Sequence, residues 1–243
     1  MKHTVYVVGI GPGGLDGMTI EARNILSKCD CITGYTTYIN LLKPMFTPKE
    51  WLSTGMTKEV DRCRLAVAEA RKGKTVAMVS SGDAGMYGMA GIMYEVAADY
   101  DDVDIKVIAG VTAAASGAAR LGAPIVADCC LISLSDLLTP WEKIEKRLDC
   151  AAAGDFVICL YNPASKKRAG YTKKAAQIIM RHQDPSIPVG IVRNIGRDGE
   201  ATEVTTLGEV GNKDLDMFTT VIIGNSQTKV LHGYMVTPRG YTL

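Results

Sequence analysis

Two apolar runs, residues 4–9 and 75–80, each break off into a glycine-rich bend: GIGPGG over 9–14 and SSGDAGMYGMAG over 80–91. A strand that ends in glycine lets main chain approach main chain, or a small bound molecule, where a Cβ would intrude. Further strand-like runs stand at 105–109, 156–161, 188–193 and 219–224, with a short one at 31–33. Helical patterns separate most of them, and that alternation predicts an α/β fold with largely parallel pairing.

Several helices announce their own ends. In 57–72, Val60, Cys63, Arg64, Val67 and Ala68 recur at helical spacing, and Gly73 stands where a C-terminal cap belongs. At Thr139-Pro140-Trp141-Glu142 a cap hydroxyl, a first-turn proline and a glutamate three residues after the cap predict a capping box, which leaves Glu142 a structural role. The alanine- and glycine-rich stretch 110–125 predicts a tightly packed helix over 112–121. Thr112 and Ala113 sit at the turn before it, where free N–H groups and a hydroxyl can meet a ligand. Beyond this point strands carry more Thr and Glu, as in 203–209. The expected division is therefore an N-terminal α/β domain over 1–111 and a C-terminal α/β domain with a mixed sheet over 112–243. At 47% hydrophobic residues, 243 residues suffice for two such cores.

A net charge of +1, with both signs scattered, lacks the basic stripe that binding to a phosphate backbone needs, so nucleic acid is not an expected partner. No apolar run approaches the roughly 18–20 residues that span a bilayer, and the first glycine loop arrives too early for a signal-peptide core, so no membrane partner and a cytoplasmic location are expected. Seven cysteines without C-x-x-C spacing fit reduced thiols better than disulfides or zinc, and no metal site is expected.

Gly9, Gly11 and Gly14 satisfy G-x-G-x-x-G, so a dinucleotide-dependent oxidoreductase is one reading. Two details oppose it. Helical pattern waits until about Thr19, too late to meet a pyrophosphate, and Asp30 precedes the second strand rather than ending it. A non-catalytic module that binds a nucleoside-like ligand is another reading of the same glycine loops.

Together, GIGPGG, SGDAGMYG, GVTAAAS (110–116) and LYNPASKKR (160–168) resemble the tetrapyrrole (corrin/porphyrin) methyltransferase family, which uses S-adenosylmethionine. The likeness runs from Val5 to about Gln227. Within the family, Gly82-Asp83-Ala84 and RNIGRDGE (193–200) resemble the cobalamin branch that methylates a precorrin-3 type tetrapyrrole at ring carbon 17 with contraction of the ring. Methylation at another precorrin carbon, or of a protein side chain in diphthamide synthesis, is the alternative within the family. The resemblance implies a class III methyltransferase fold of two α/β domains with the cofactor in a cleft between them, and a homodimer. It carries cofactor contacts to Pro12, Gly82, Asp83, Met86, Tyr87, Thr112, Ala113, Asn162, Gly190 and Thr220. Each has a plainer rival: Pro12 stiffens a turn, Met86 fills a core, and Asp83 caps a helix starting near Ala84.

An acceptor bearing several carboxylates calls for cations and aromatic surface. Tyr35, Lys166, Arg168 and Arg193 are the expected substrate-binding residues, with Tyr38, Lys167 and Arg197 beside them. The rival reading for the lysines is a solvated helix face. No side chain declares itself a general acid or base; Asp83 and Ser116 are the candidates the loops offer. Methyl transfer from a sulfonium to carbon expels a neutral thioether, so alignment supplies most of the acceleration and neither metal nor triad is required.

Overall fold

The computed structural model describes residues 2–165 and 170–242, and the chain divides into two compact units, Met1–Ala113 and Ala114–Leu243. In the first, β1 (His3–Gly9), β2 (Cys31–Tyr35), β3 (Glu50–Thr54), β4 (Val76–Ser80) and β5 (Val103–Ile108) form one all-parallel sheet in the order β3-β2-β4-β1-β5. The helices are α1 (Ile20–Lys28), α2 (Thr36–Leu42), α3 (Glu59–Arg71) and α4 (Ala90–Ala97). Alternation along β1 explains how they divide between the faces. Val5 and Val7 pack with Cys63, Ala66, Val67 and Ala70 of α3 and Met93 of α4, while Val8 and Ile10 pack with Ala22 and Leu26 of α1 and Ile39 and Leu42 of α2. Each fully buried aliphatic side chain contributes roughly 1.5–3 kcal/mol, so these two faces hold the unit together.

The chain leaves β1 toward β2 on one side of the sheet order and leaves β4 toward β5 on the other. Such a reversal opens a crevice beyond the carboxyl ends of two adjacent strands, here β1 and β4, which is where ligands of open α/β sheets bind.

The buried face of α3 is not the expected one. Val60 is 40% exposed and Arg64 and Ala68 face solvent, whereas Arg62, Cys63, Ala66, Val67, Glu69 and Ala70 are buried. Cys63-Ala66-Val67-Ala70 is an equally good stripe, and its alanines let the helix lie close to the sheet. Glu69 is tolerated inside because Lys72 and Lys74 donate to it at 2.7 and 2.6 Å, which holds its carboxyl below the usual carboxylate range. Gly73, at φ +87°, ends the helix as expected.

The second unit begins with most of α5 (Ala113–Leu121), followed by β6 (Gly122–Ala123), β7 (Cys129–Ser133), α6 (Trp141–Ala153), β8 (Val157–Tyr161), α7 (Tyr171–Ile179), β9 (Pro188–Arg193), β10 (Ala201–Thr206), β11 (Thr219–Ile223), β12 (Lys229–Leu231) and β13 (Tyr234–Val236). Its main sheet, β10-β9-β11-β8-β7, is mixed: β7 and β8 run parallel and the other pairs antiparallel. Ile144 and Leu148 of α6 and Ala175 and Ile179 of α7 cover it, against Ile158, Leu160, Val189 and Val221. The capping box at 139–142 does not form. Pro140 itself is the N-cap, its carbonyl accepting from Lys143 and Ile144, so Thr139 lies one residue too early.

All seven cysteines are free thiols. Burial pushes Cys29 up to about 12 and Cys31, Cys63 and Cys130 up to about 11, and raises Cys159 as well. Because the thiolate is the nucleophile, a thiol reagent at pH 8 is expected to label exposed Cys129 and Cys150 and to reach the others only on unfolding. Mass spectrometry of the labelled peptides checks this; early labelling of Cys63 would contradict the packing of α3.

Candidate functional site

The two glycine bends meet at the carboxyl edge of the first sheet. Gly11 N–H donates to Gly82 O at 3.0 Å and Gly82 N–H to Gly11 O at 2.9 Å, an antiparallel bridge between loops that leave adjacent parallel strands. Both glycines have left-handed backbone, φ +69° and +66°. The end of β5 closes the cluster. A Cβ on Gly110 would lie 2.2 Å from Gly82 O, and one on Gly9 2.7 Å from Gly110 N, so three strand ends touch through bare main chain.

Asp83 holds this arrangement. Its Oδ1 accepts from the N–H groups of Gly85 and Met86 at 2.8 and 3.0 Å, and its Oδ2 accepts from Gly110 N–H at 2.9 Å. The expected helix from Ala84 is absent: residues 83–89 form an irregular bend, and α4 begins at Ala90. The carboxylate therefore organises a loop rather than capping a helix, because the first free N–H groups it meets belong to a turn. Ser80 Oγ fixes the far end of the bend by accepting from Met89 N–H at 3.2 Å.

The bend displays what it does not bury. Met86 is 38% and Tyr87 54% exposed, and Tyr87 has a left-handed backbone at φ +54°. Thr112 Oγ1 donates to Met86 Sδ at 3.5 Å, and the Cα of Thr112 and N of Ala113 lie 3.6 Å from where a Cβ on Gly82 would be. Six expected contacts, Pro12, Gly82, Asp83, Met86, Thr112 and Ala113, thus gather around one bridge, with Tyr87 at its rim. Pro12 follows Gly11, and its ring lies 2.7 Å from where a Cβ on Gly17 would fall, so it packs against the turn that follows.

The dinucleotide reading finds no support in this geometry. Helix α1 starts at Ile20 behind its cap Thr19, after a 3-10 turn over Leu15–Gly17. A Cβ on Gly14 would meet nothing within 4 Å, so the third glycine of the fingerprint serves no close helix packing. Asp30 precedes β2 and accepts from Lys49 at 2.7 Å.

In the second unit the expected residues that the structure describes are engaged locally. Asn162, at the end of β8 with φ +53°, donates through Nδ2 to Ser133 Oγ at 2.9 Å. Gly190 makes room for Leu121, which lies 2.2 Å from where its Cβ would be, and Thr220 is buried within β11. Arg193 donates from Nη2 to Asp214 O at 2.6 Å and lies 3.7 Å from Asp216, so its guanidinium is engaged by its own turn. Arg197 stacks over Phe218 at 5.9 Å. Tyr161 hydroxyl accepts from Ala114 N–H at 2.9 Å, satisfying one free amide at the start of α5, where Ser116 also lies. Lys166, Lys167 and Arg168 fall outside the described residues.

Tyr35 closes β2, and Tyr38, on α2, meets it edge-on with centroids 5.3 Å apart. Sequence reasoning passed over Gly110, Ser80 and Arg62. Gly110 could have been found from its place one residue past the strand expected at 105–109; Ser80 and Arg62 carry no local signal. Among the described residues no cluster of His, Cys, Asp and Glu could hold a metal ion.

Comparison with known proteins agrees with this architecture. Residues 4–211 match the profile of the Tetrapyrrole (Corrin/Porphyrin) Methylases. The chain is 46% identical over 238 residues to a Salmonella typhimurium protein named "Probable cobalt-factor III C(17)-methyltransferase", covering 98% of this chain and 99% of that one. It is also 46% identical to the "Cobalt-factor III methyltransferase" of Priestia megaterium, but spans 46% of that longer protein's length. Among solved structures, that of the methyltransferase CobJ superposes with a TM-score of 0.91 at 33% identity, covering 98% of this chain and 100% of that one.

Proposed function

Because the chain belongs to the tetrapyrrole methylase family, we propose that it methylates cobalt-factor III, a cobalt-bearing tetrapyrrole, at ring carbon 17 with contraction of the macrocycle, in cobalamin biosynthesis. S-adenosylmethionine, the donor of this family, supplies an electrophilic methyl group on a sulfonium sulfur. The residues present fit that group. The bridge and the small residues around it leave main chain open to a ligand, and Gly82, Asp83, Met86, Tyr87, Thr112 and Ala113 would hold it. The single observation that carries the reading is the Asp83 carboxylate fastening the 82–87 bend to the end of β5 across paired strand ends, in a chain of this family.

The protein's own part is positioning. A site already bridged by main-chain hydrogen bonds loses little freedom on binding, and alignment of that kind accounts for about 7–11 kcal/mol of barrier reduction in favourable cases. Ring contraction also needs proton movement. Both Asp83 oxygens accept main-chain N–H groups, which gives that side chain a holding role in this reading. A cytoplasmic homodimer belongs to the same proposal. No described helix is long and apolar enough to cross a membrane, and Val230, Leu231 and Tyr234 on the β12–β13 hairpin are exposed apolar surface that a second copy could cover.

Titration calorimetry with S-adenosylhomocysteine and with NADH tests the donor, and NMR of the product from labelled donor and cobalt-factor III tests the methylated carbon and the ring size. Binding of the thioether and a new methyl on carbon 17 of a contracted ring are expected. Binding of NADH without binding of the thioether overturns the proposal.

A further inference from the structure

Arg62 is the most anomalous charge in the first unit. Its side chain is 3% exposed, and no carboxylate lies within ion-pair distance of it among the described residues. Of five N–H donors, Nε bonds Thr54 Oγ1 at 2.8 Å, Nη2 bonds Gly55 O at 3.0 Å, and Nη1 has the thioether of Met89 at 3.7 Å, a weak acceptor. It also sits in the first turn of α3, where the helix dipole disfavours a cation. Glu59 is near enough to act on it but forms no ion pair with it, and Asp61 is taken by Lys58 at 3.2 Å. A buried cation without an acid is costly, and a side chain that breaks several stability rules at once marks a functional position.

Its location points to the ligand. Thr54 ends β3, Tyr35 ends β2, and Met89 ends the bend that carries Asp83 and Met86, so the guanidinium lies at the carboxyl edge of the sheet beside that bend. Tyr35 pairs in register with Thr54 across β2 and β3, and Tyr38 meets Tyr35 edge-on. The turn over 55–58, whose Gly55 carbonyl accepts from the guanidinium, is exposed and holds Thr57 in a left-handed conformation, φ +62°.

Resting on the function proposed above, we propose that Arg62 is the receptor for one carboxylate arm of the acceptor, which takes the guanidinium edge now facing the Met89 thioether. The carboxylate supplies the missing counter-charge, and a desolvated, charge-assisted pair fixes the orientation of the ring. Entry requires the Met89 thioether and the 55–58 turn to yield.

Met89→Glu tests this while keeping the arginine, by placing an internal carboxylate where the arm would go. It is expected to raise the KM for cobalt-factor III by about tenfold or more, with S-adenosylhomocysteine affinity unchanged and the thermal midpoint not lowered. Met89→Leu removes the sulfur without adding charge and controls for shape. Arg62→Met is expected to raise the same KM, and Arg62→Lys to recover part of it, since an ammonium pairs without the fork. An unchanged acceptor KM in Met89→Glu, or acceptor KM and thioether affinity worsening together, overturns the proposal. Failure of the unmodified protein to bind the thioether would instead strike at the methyltransferase reading.

Discussion

Gly110→Ala is expected to weaken S-adenosylhomocysteine binding and to slow methyl transfer by about 100-fold, the rate cost of displacing positioning groups by roughly 1 Å. The added Cβ would lie 2.2 Å from Gly82 O and 2.6 Å from the carbonyl atoms of Gly9, all of them main chain that no rotamer change can move aside. The loops must part, and Gly110 N–H then also leaves Asp83. Overpacking of this kind should lower stability by about 1–3 kcal/mol, read by denaturant titration. Gly14→Ala is the control: its Cβ meets nothing within 4 Å, so stability should stay within about 0.5 kcal/mol. Normal thioether affinity in Gly110→Ala would show that the three strand ends do not form the donor's seat.

Asp83→Ala removes the acceptor of three main-chain bonds at a stroke. Charge-assisted bonds of this sort contribute about 1.5–3 kcal/mol each, but Gly85 and Met86 are exposed and recover water, so the lasting deficit falls on Gly110. Thioether affinity is therefore expected to drop by about 10- to 100-fold, with stability down by about 1–3 kcal/mol. Asp83→Asn keeps one oxygen acceptor but turns an NH2 toward the N–H served by the other, so its affinity should also fall, toward that of Asp83→Ala. The opposite pattern, full affinity with kcat abolished in Asp83→Asn, would identify this carboxylate as a proton carrier instead of a staple. Calorimetry and single-turnover methyl transfer separate the two outcomes.

Much of this was readable from residues alone, for identifiable reasons. Strands that alternate between two buried faces or carry unbroken apolar runs, such as those ending at Gly9, Ser80 and Arg193, declare themselves by composition, and the two glycine bends mark where they stop. What escaped depends on choices that local sequence leaves degenerate. Helix α3 offers two stripes a residue apart, and tertiary packing selected Cys63-Ala66-Val67-Ala70, carrying Arg62 inward with it. Asp83 reads as a helix cap because Asp before small residues usually is one, yet its partners are in a turn and at Gly110, 27 residues away. Partnerships over such separations leave no periodic trace. The same limit applies to Arg193, which reads as a free cation until Asp214 and Asp216 are seen beside it.

The hydrogen bonds that join Gly11 to Gly82 run between groups carried by every amino acid except proline at the donor. Genetic drift can rewrite neighbouring side chains without erasing them, provided both positions keep their left-handed backbone. Descendants of this chain are thus free to change what surrounds the junction, and so to recognise new molecules, while inheriting the junction itself intact.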